Sequence, residues 1–234
     1  MSVWRELVGV LSERFRCILF DASGHGKTKP RNLSPQIEAT AADILALMDE
    51  ISVDRAHIVG ASIGGMSAQA FASSYPDRVD RLILMATTPK MPEPKMWVDR
   101  AAEVRGVGLS SVCEAAMKRW FTPAYSGSNP VRVEETRQSF LATDIESYAI
   151  ACEAIAHMDL IGAIAAISAP TLVMAAADDA STPPETTEML RRSVPEATSI
   201  IVPDAAHLMM IERPRQVADW MTTFLELPLE ARQA

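Results

Sequence analysis

The sequence predicts an α/β domain, a parallel, doubly wound sheet interrupted by a helical insertion. Three observations carry this. Strand and helix patterns alternate up to residue 88, as they do where crossover helices join parallel strands. The stretch His57-Ile58-Val59-Gly60-Ala61-Ser62-Ile63-Gly64-Gly65-Met66 runs an apolar strand through G-x-S-x-G into an amphipathic helix. From Pro89 to Leu160 the strand signal vanishes, and it resumes at Pro170.

In chain order, Trp4, Leu7, Val8 and Leu11 stand at helical spacing within residues 3–14, and Phe15 to Phe20 reads as a buried strand ending at Asp21. The following loop ends in Gly26-Lys27-Thr28, which imitates a phosphate-binding loop. Such a loop needs glycine where Asp21 stands and a helix starting at the lysine, so nucleotide binding is rejected. A helix over 35–51 has Pro35 in its first turn, Ser34 as N-cap, and Ile37, Ala41, Ile44, Leu45 and Met48 on one face. A strand at 55–61, a helix at 64–75 and a strand at 79–86 follow. The insertion is helical, broken at Gly106-Val107-Gly108, Thr122-Pro123 and Gly127-Ser128-Asn129-Pro130. Strands at 170–176 and 198–202 flank a helix at 184–193, and a last helix at 213–226 turns Val217, Trp220, Met221 and Phe224 inward. The predicted division is a core in two parts, 1–88 and 161–234, with a helical cap at 89–160.

Composition narrows the function classes. The 234 residues are 48% hydrophobic and 22% charged, which suits a globular domain, and the net charge of −8 disfavours nucleic acid or an anionic membrane as partner. Cys17, Cys113 and Cys152 are scattered and form no C-x-x-C, so neither a disulfide framework nor a zinc site is expected. No run of apolar residues is long enough to span a membrane and no leader pattern opens the chain, so a cytoplasmic protein is expected.

In G-x-S-x-G the serine sits on a tight strand-to-helix turn, and Gly60 and Gly64 are expected to let the two elements approach. A serine is a poor nucleophile without a base, and the base needs a third group to fix it. The loop after strand 170–176 supplies two adjacent carboxylates, Asp178 and Asp179; the spacing of Asp179 to Pro183 resembles the D-x-x-x-P of such loops in this fold, and that resemblance implies Asp179. Among four histidines, His207 follows the last predicted strand, where a loop can carry its imidazole over Ser62 as general base and then acid. His57 and His157 read as hydrogen-bonded structural residues and His25 as a loop former.

With Ser62, Asp179 and His207 in order, the chain resembles the α/β-hydrolase superfamily over essentially all its length. Within it the likeness is to the 3-oxoadipate enol-lactonases, carried by Gly24-His25-Gly26, by Lys118-Arg119-Trp120-Phe121-Thr122-Pro123, by Ala142-Thr143-Asp144, by Met158-Asp159-Leu160 and by Thr182-Pro183-Pro184. The resemblance implies opening of a small enol-lactone that bears a free carboxylate, with Ser62 attacking the ring carbonyl and Ile63 N–H in the oxyanion hole. It implies no metal and no organic cofactor. Arg119, beside Trp120, is the candidate counter-charge for the substrate anion, ahead of Lys118 or Arg137. Rival readings are a capped esterase or carbon-carbon bond hydrolase, and a non-catalytic remnant; a haloalkane dehalogenase would carry aspartate at Ser62.

The sequence departs from the superfamily pattern at its start, where three strands and a His-Gly turn are expected ahead of the helix containing Trp4. The expectation is a reading frame that begins upstream. In the family's strand order this loss leaves a gap between 16–20 and 55–61, to be closed by direct pairing or by another chain, such as a second copy, or left as two open edges. It also removes one of two oxyanion donors, a loss of roughly 100- to 1000-fold in rate. Ser23 stands where the family has arginine.

Overall fold

The computed structural model describes residues 2–31 and 36–228; the expected Ser34 cap and Pro35 lie outside them. Helix α1 (Arg5–Leu11) and helix α2 (Ile37–Glu50) precede strand β1 (Ala56–Ala61), helix α3 (Ile63–Ser74) and strand β2 (Val79–Met85). Five helices follow: α4 (Pro94–Val107), α5 (Ser110–Trp120), α6 (Pro123–Ser128), α7 (Pro130–Leu141) and α8 (Ile145–His157). The chain then returns to the sheet through β3 (Thr171–Ala176), α9 (Pro184–Ser193) and β4 (Thr198–Val202), and ends in α10 (Met209–Glu212) and α11 (Pro214–Glu226).

The four strands lie in the order β1-β2-β3-β4, all parallel. Alternate residues face opposite sides of a strand, and here each side has its own helical cover. Leu82, Leu84 and Val173 pack with Ile37, Met48, Phe71 and Leu190 from α2, α3 and α9. Ile83, Met85, Leu172 and Met174 pack with Leu7, Val217 and Met221 from α1 and α11, and with Val104, Cys113 and Phe140 of the helical segment. This is the doubly wound sheet that the alternation predicts. Trp97 of α4 touches both packed groups, so the helical segment reaches each side of the sheet. No helix among the described residues is long and apolar enough to cross a membrane.

The predicted strand over 15–20 does not form. Phe15 and Cys17 pack inward, and Phe15 meets the His57 ring edge-on at 6.4 Å, while Ile18 and Phe20 stand 43% and 41% exposed. The inside-outside alternation is present, but a strand also needs a hydrogen-bonded neighbour. β1 pairs only with β2 among the described residues, so of the three alternatives for the gap, direct pairing of 16–20 with 55–61 does not occur.

The glycine expectation is half right. A methyl group on Gly60 would stand 2.3 Å from the carbonyl oxygen of Gly64, and one on Gly65 would stand 2.7 Å from the Thr87 side chain. One on Gly64 would meet nothing within 4 Å. Close approach of β1 and α3 therefore rests on Gly60, and packing against the loop after β2 rests on Gly65. Gly60→Ala is expected to destabilise the fold by about 3 kcal/mol, the upper end for overpacking, because the obstacle is backbone. Gly64→Ala is expected to cost no stability; urea midpoints of the two variants check the contrast.

The helical segment is closed at its neck. Leu160 N–H donates to Pro89 O at 2.9 Å, Lys90 and Asp159 form an antiparallel bridge, and their side chains pair at 2.6 Å. Arg105 of α4 also holds Glu146 and Glu153 of α8.

Candidate active site

Because the strands are parallel, the loops that follow β1, β3 and β4 leave from one end of the sheet. Ser62 follows β1 directly and has φ 52° and ψ −122°, a conformation that L-residues avoid and that costs on the order of 1–3 kcal/mol. The turn is braced. Ser62 N–H donates to Met85 O at 2.9 Å, and Thr87 Oγ1 donates to Ser62 O at 2.8 Å. Buried Gln69 in turn donates to Gly65 O, Thr87 Oγ1 and Thr88 O at 3.2 to 3.3 Å. Ile63 is the first residue of α3, so its N–H has no acceptor within the helix and is free to face an anion.

The loop after β3 brings Asp179 to His207. Asp179 Oδ2 lies 2.8 Å from His207 Nδ1, and both side chains are buried. The other acceptor positions of Asp179 are filled: Oδ1 takes the N–H groups of Ser181 and Thr182 at 2.7 and 3.0 Å, and Oδ2 takes the Thr182 hydroxyl at 2.7 Å. Burial by itself would raise the Asp179 pKa, but the hydrogen bonds from His207 and Thr182 outweigh it and hold the carboxyl below the ordinary aspartate range. Asp178 is exposed. With Nδ1–H held by Asp179, Nε2 is left as the proton acceptor. Ser62 Oγ makes no hydrogen bond to His207 among the described residues, so the structure joins His207 to Asp179 and leaves Ser62 apart from the pair.

The remaining histidines divide differently from expectation. His25 Nδ1 lies 2.9 Å from Ser23 O and shapes its loop. His57 is packed at the start of β1, but its buried Nδ1 has no hydrogen-bond partner among the described residues, and burial lowers its pKa. His157 is exposed at the end of α8.

The His207 loop is tied to the helical segment. Leu208 N–H donates to Trp120 O at 3.0 Å. The buried carboxylate of Glu212 accepts Ala206 N–H at 3.1 Å from one side, and Thr122 N–H and hydroxyl at 3.0 and 2.8 Å from the other. Burial raises the Glu212 pKa above the ordinary glutamate range, although these bonds oppose it. Its effect on stability is therefore favourable below the unfolded glutamate value and is lost as pH rises through the folded one. At neutral pH this carboxylate costs stability.

Trp120 packs edge-on to Phe140 at 5.4 Å, and Arg119 is half-buried without an ion-pair partner among the described residues. Motifs that carried the lactonase resemblance turn out to be fasteners. Asp144 caps α8 through Ser147 N–H at 2.8 Å, its own N–H donates to Gly24 O at 3.1 Å, and Thr122 caps α6.

A model of the alpha/beta hydrolase family matches residues 1–220. The chain belongs to that family. Among its relatives is 3-oxoadipate enol-lactonase 2 of Acinetobacter baylyi, 30% identical over 215 residues that cover 92% of this chain and 80% of the relative. The family fold is shared with the enol-lactonase from Burkholderia xenovorans LB400, with a TM-score of 0.91 and 34% identity over 96% of this chain and 86% of that one. It is shared as well with a thermophilic esterase from Thermogutta terrifontis, solved with malate bound, with a TM-score of 0.89 and 32% identity over 96% and 84% of the two chains. The fold is thus that of the family.

Proposed function

We propose that this hydrolase opens a small carboxylated enol-lactone, 3-oxoadipate enol-lactone to 3-oxoadipate, through an acyl-enzyme on Ser62 in the breakdown of aromatic compounds. The observation that carries the reading is the buried Asp179–His207 pair at the sheet end where Ser62 holds its unusual backbone angles. Ser62 Oγ attacks the ring carbonyl while His207 Nε2 takes its proton, and Ile63 N–H donates to the oxyanion. The ring oxygen leaves as an enolate, receives a proton from His207, and tautomerises to the ketone. Water, activated by the same imidazole, then releases the second carboxylate. No cofactor takes part. The free cysteines Cys17, Cys113 and Cys152 suit a reducing cytoplasm.

Arg119 is assigned to the substrate carboxylate, with Trp120 setting its place. Burial and the nearby Arg100 guanidinium lower the Arg119 pKa, so its positive charge is held at a cost that an anion would relieve. Arg100 and Arg119 line one cavity of about 610 Å³ between α4 and α5, which also carries Glu93 and Glu103. The end of α5 leads from there to Trp120 O, the acceptor of Leu208 N–H beside His207. The esterase relative was solved with malate, a small dicarboxylate, bound.

Turnover of freshly prepared enol-lactone against an aryl acetate tests the reading, and faster hydrolysis of the acetate would overturn it in favour of an esterase. Arg119→Gln is expected to raise KM for the lactone about 10- to 100-fold, the worth of one charge-assisted hydrogen bond, and to leave KM for the neutral acetate unchanged. Equal changes for both substrates would remove Arg119 from the carboxylate site.

A further inference from the structure

Glu212 is a buried acid in an otherwise apolar turn, between Met210 and Ile211 on one side and Arg213 on the other, and the proposed chemistry does not use it. Its two oxygens join segments far apart in sequence: Ala206, the residue before His207, and Thr122, the cap of α6 at the α5–α6 junction. We propose that Glu212 is a positioning residue, which fixes the His207 imidazole by clamping its loop to the helical segment through Ala206 and Thr122. The inference rests on the reading of His207 as the general base.

Two features separate this role from simple packing. The loop is held at points on both sides of the imidazole, by Ala206 N–H on Glu212 and by Leu208 N–H on Trp120 O, and both ties run to the α5–α6 junction. Arg213, adjacent to Glu212, donates to Asp204 O at 3.0 Å and steadies the start of the same loop. A shift of the junction is therefore passed to His207 through three hydrogen bonds on one carboxylate and one on a carbonyl. The groups that face the carboxylate are Thr122, the amide of Ala206, the Arg213 charge and the Tyr125 hydroxyl.

In the full chain, Glu212→Ala is expected to lower kcat about 10- to 100-fold, the scale of an ångström-size misplacement, with KM changed less than threefold. Glu212→Gln keeps an oxygen for the two N–H donors and an amide that can donate to the Thr122 hydroxyl, so it is expected to restore kcat to within about threefold. A purely structural residue would instead show lower melting temperatures in both variants and an unchanged kcat per folded molecule. If Glu212→Ala does not fold, Thr122→Val decides: a fall in kcat that Thr122→Ser reverses supports the clamp, and wild-type kcat in Thr122→Val overturns it. Hydrogen exchange at the Ala206 amide gives a readout that needs no turnover. Faster exchange in Glu212→Ala, or in Thr122→Val, is expected; unchanged exchange sinks the clamp even if the wild-type chain proves inactive, an outcome that would separately sink the reading of the site.

Discussion

Ser62→Ala is expected to lower kcat by about 10⁴- to 10⁶-fold while leaving the fold intact, the loss seen when the nucleophile of a catalytic triad is removed. The serine is half-buried and its hydroxyl has no hydrogen bond among the described residues, whereas its backbone N–H and C=O are held by Met85 and Thr87. Alanine keeps those backbone bonds and removes only the reacting oxygen. A fluorophosphonate probe read by intact mass gives the check. One adduct per chain is expected in the wild type and none in Ser62→Ala. Stoichiometric labelling that survives the substitution would place the nucleophile elsewhere.

Asp179→Asn is expected to cost about 10⁴-fold in kcat, because an amide can present N–H to Nδ1 and favour the tautomer whose proton sits on Nε2, where the Ser62 proton must go. The hydroxyl and N–H of Thr182 lose a charged acceptor in the same change. The pH dependence has a defined sign. The Asp179 carboxyl is held below its ordinary value in the folded chain, so its contribution to stability is present above the unfolded aspartate value of about 3.9. It disappears as pH falls through the lower folded value. Asp179→Asn should therefore show a shallower loss of stability below about pH 4 than the wild type, measured by urea denaturation across pH. Identical acid limbs would mean that Asp179 is not held ionised by His207.

The elements that sequence made legible are those whose signal is local. The strand, turn and helix around Ser62 announce themselves within ten residues, and Asp179 and His207 follow the short apolar runs 172–176 and 200–202. The 15–20 segment shows the limit. Its alternation reports a packed side, which it has, but not the hydrogen-bonded neighbour that a strand needs. The supports of the site were hidden for a related reason. Thr87 braces Ser62 from the loop after β2 and is itself held by Gln69 of α3, and nothing along the chain marks such contacts. Thr182 and Glu212 did leave traces: a threonine three residues after an acid, the spacing of a local side-chain turn, and a lone carboxylate within Met209-Met210-Ile211-Glu212, where an unpaired charge would be costly. Gly64 was misjudged because the motif is symmetric about the serine and the surrounding space is not.

The bridge between Lys90 and Asp159 brings the two strands of backbone that leave and rejoin the sheet side by side. For a chain anchored in this way, the entropy of closing the loop grows slowly with its length, by only about 0.6 kcal/mol for each doubling. The loops between the five helices can change length at little expense to the sheet, provided that the faces packed on it through Val104, Cys113 and Phe140 are kept. Those loops can thereby vary while Ser62, Asp179 and the backbone of β1 to β4 keep their positions. The two ties at Thr122 and Trp120 are what such variation has to preserve.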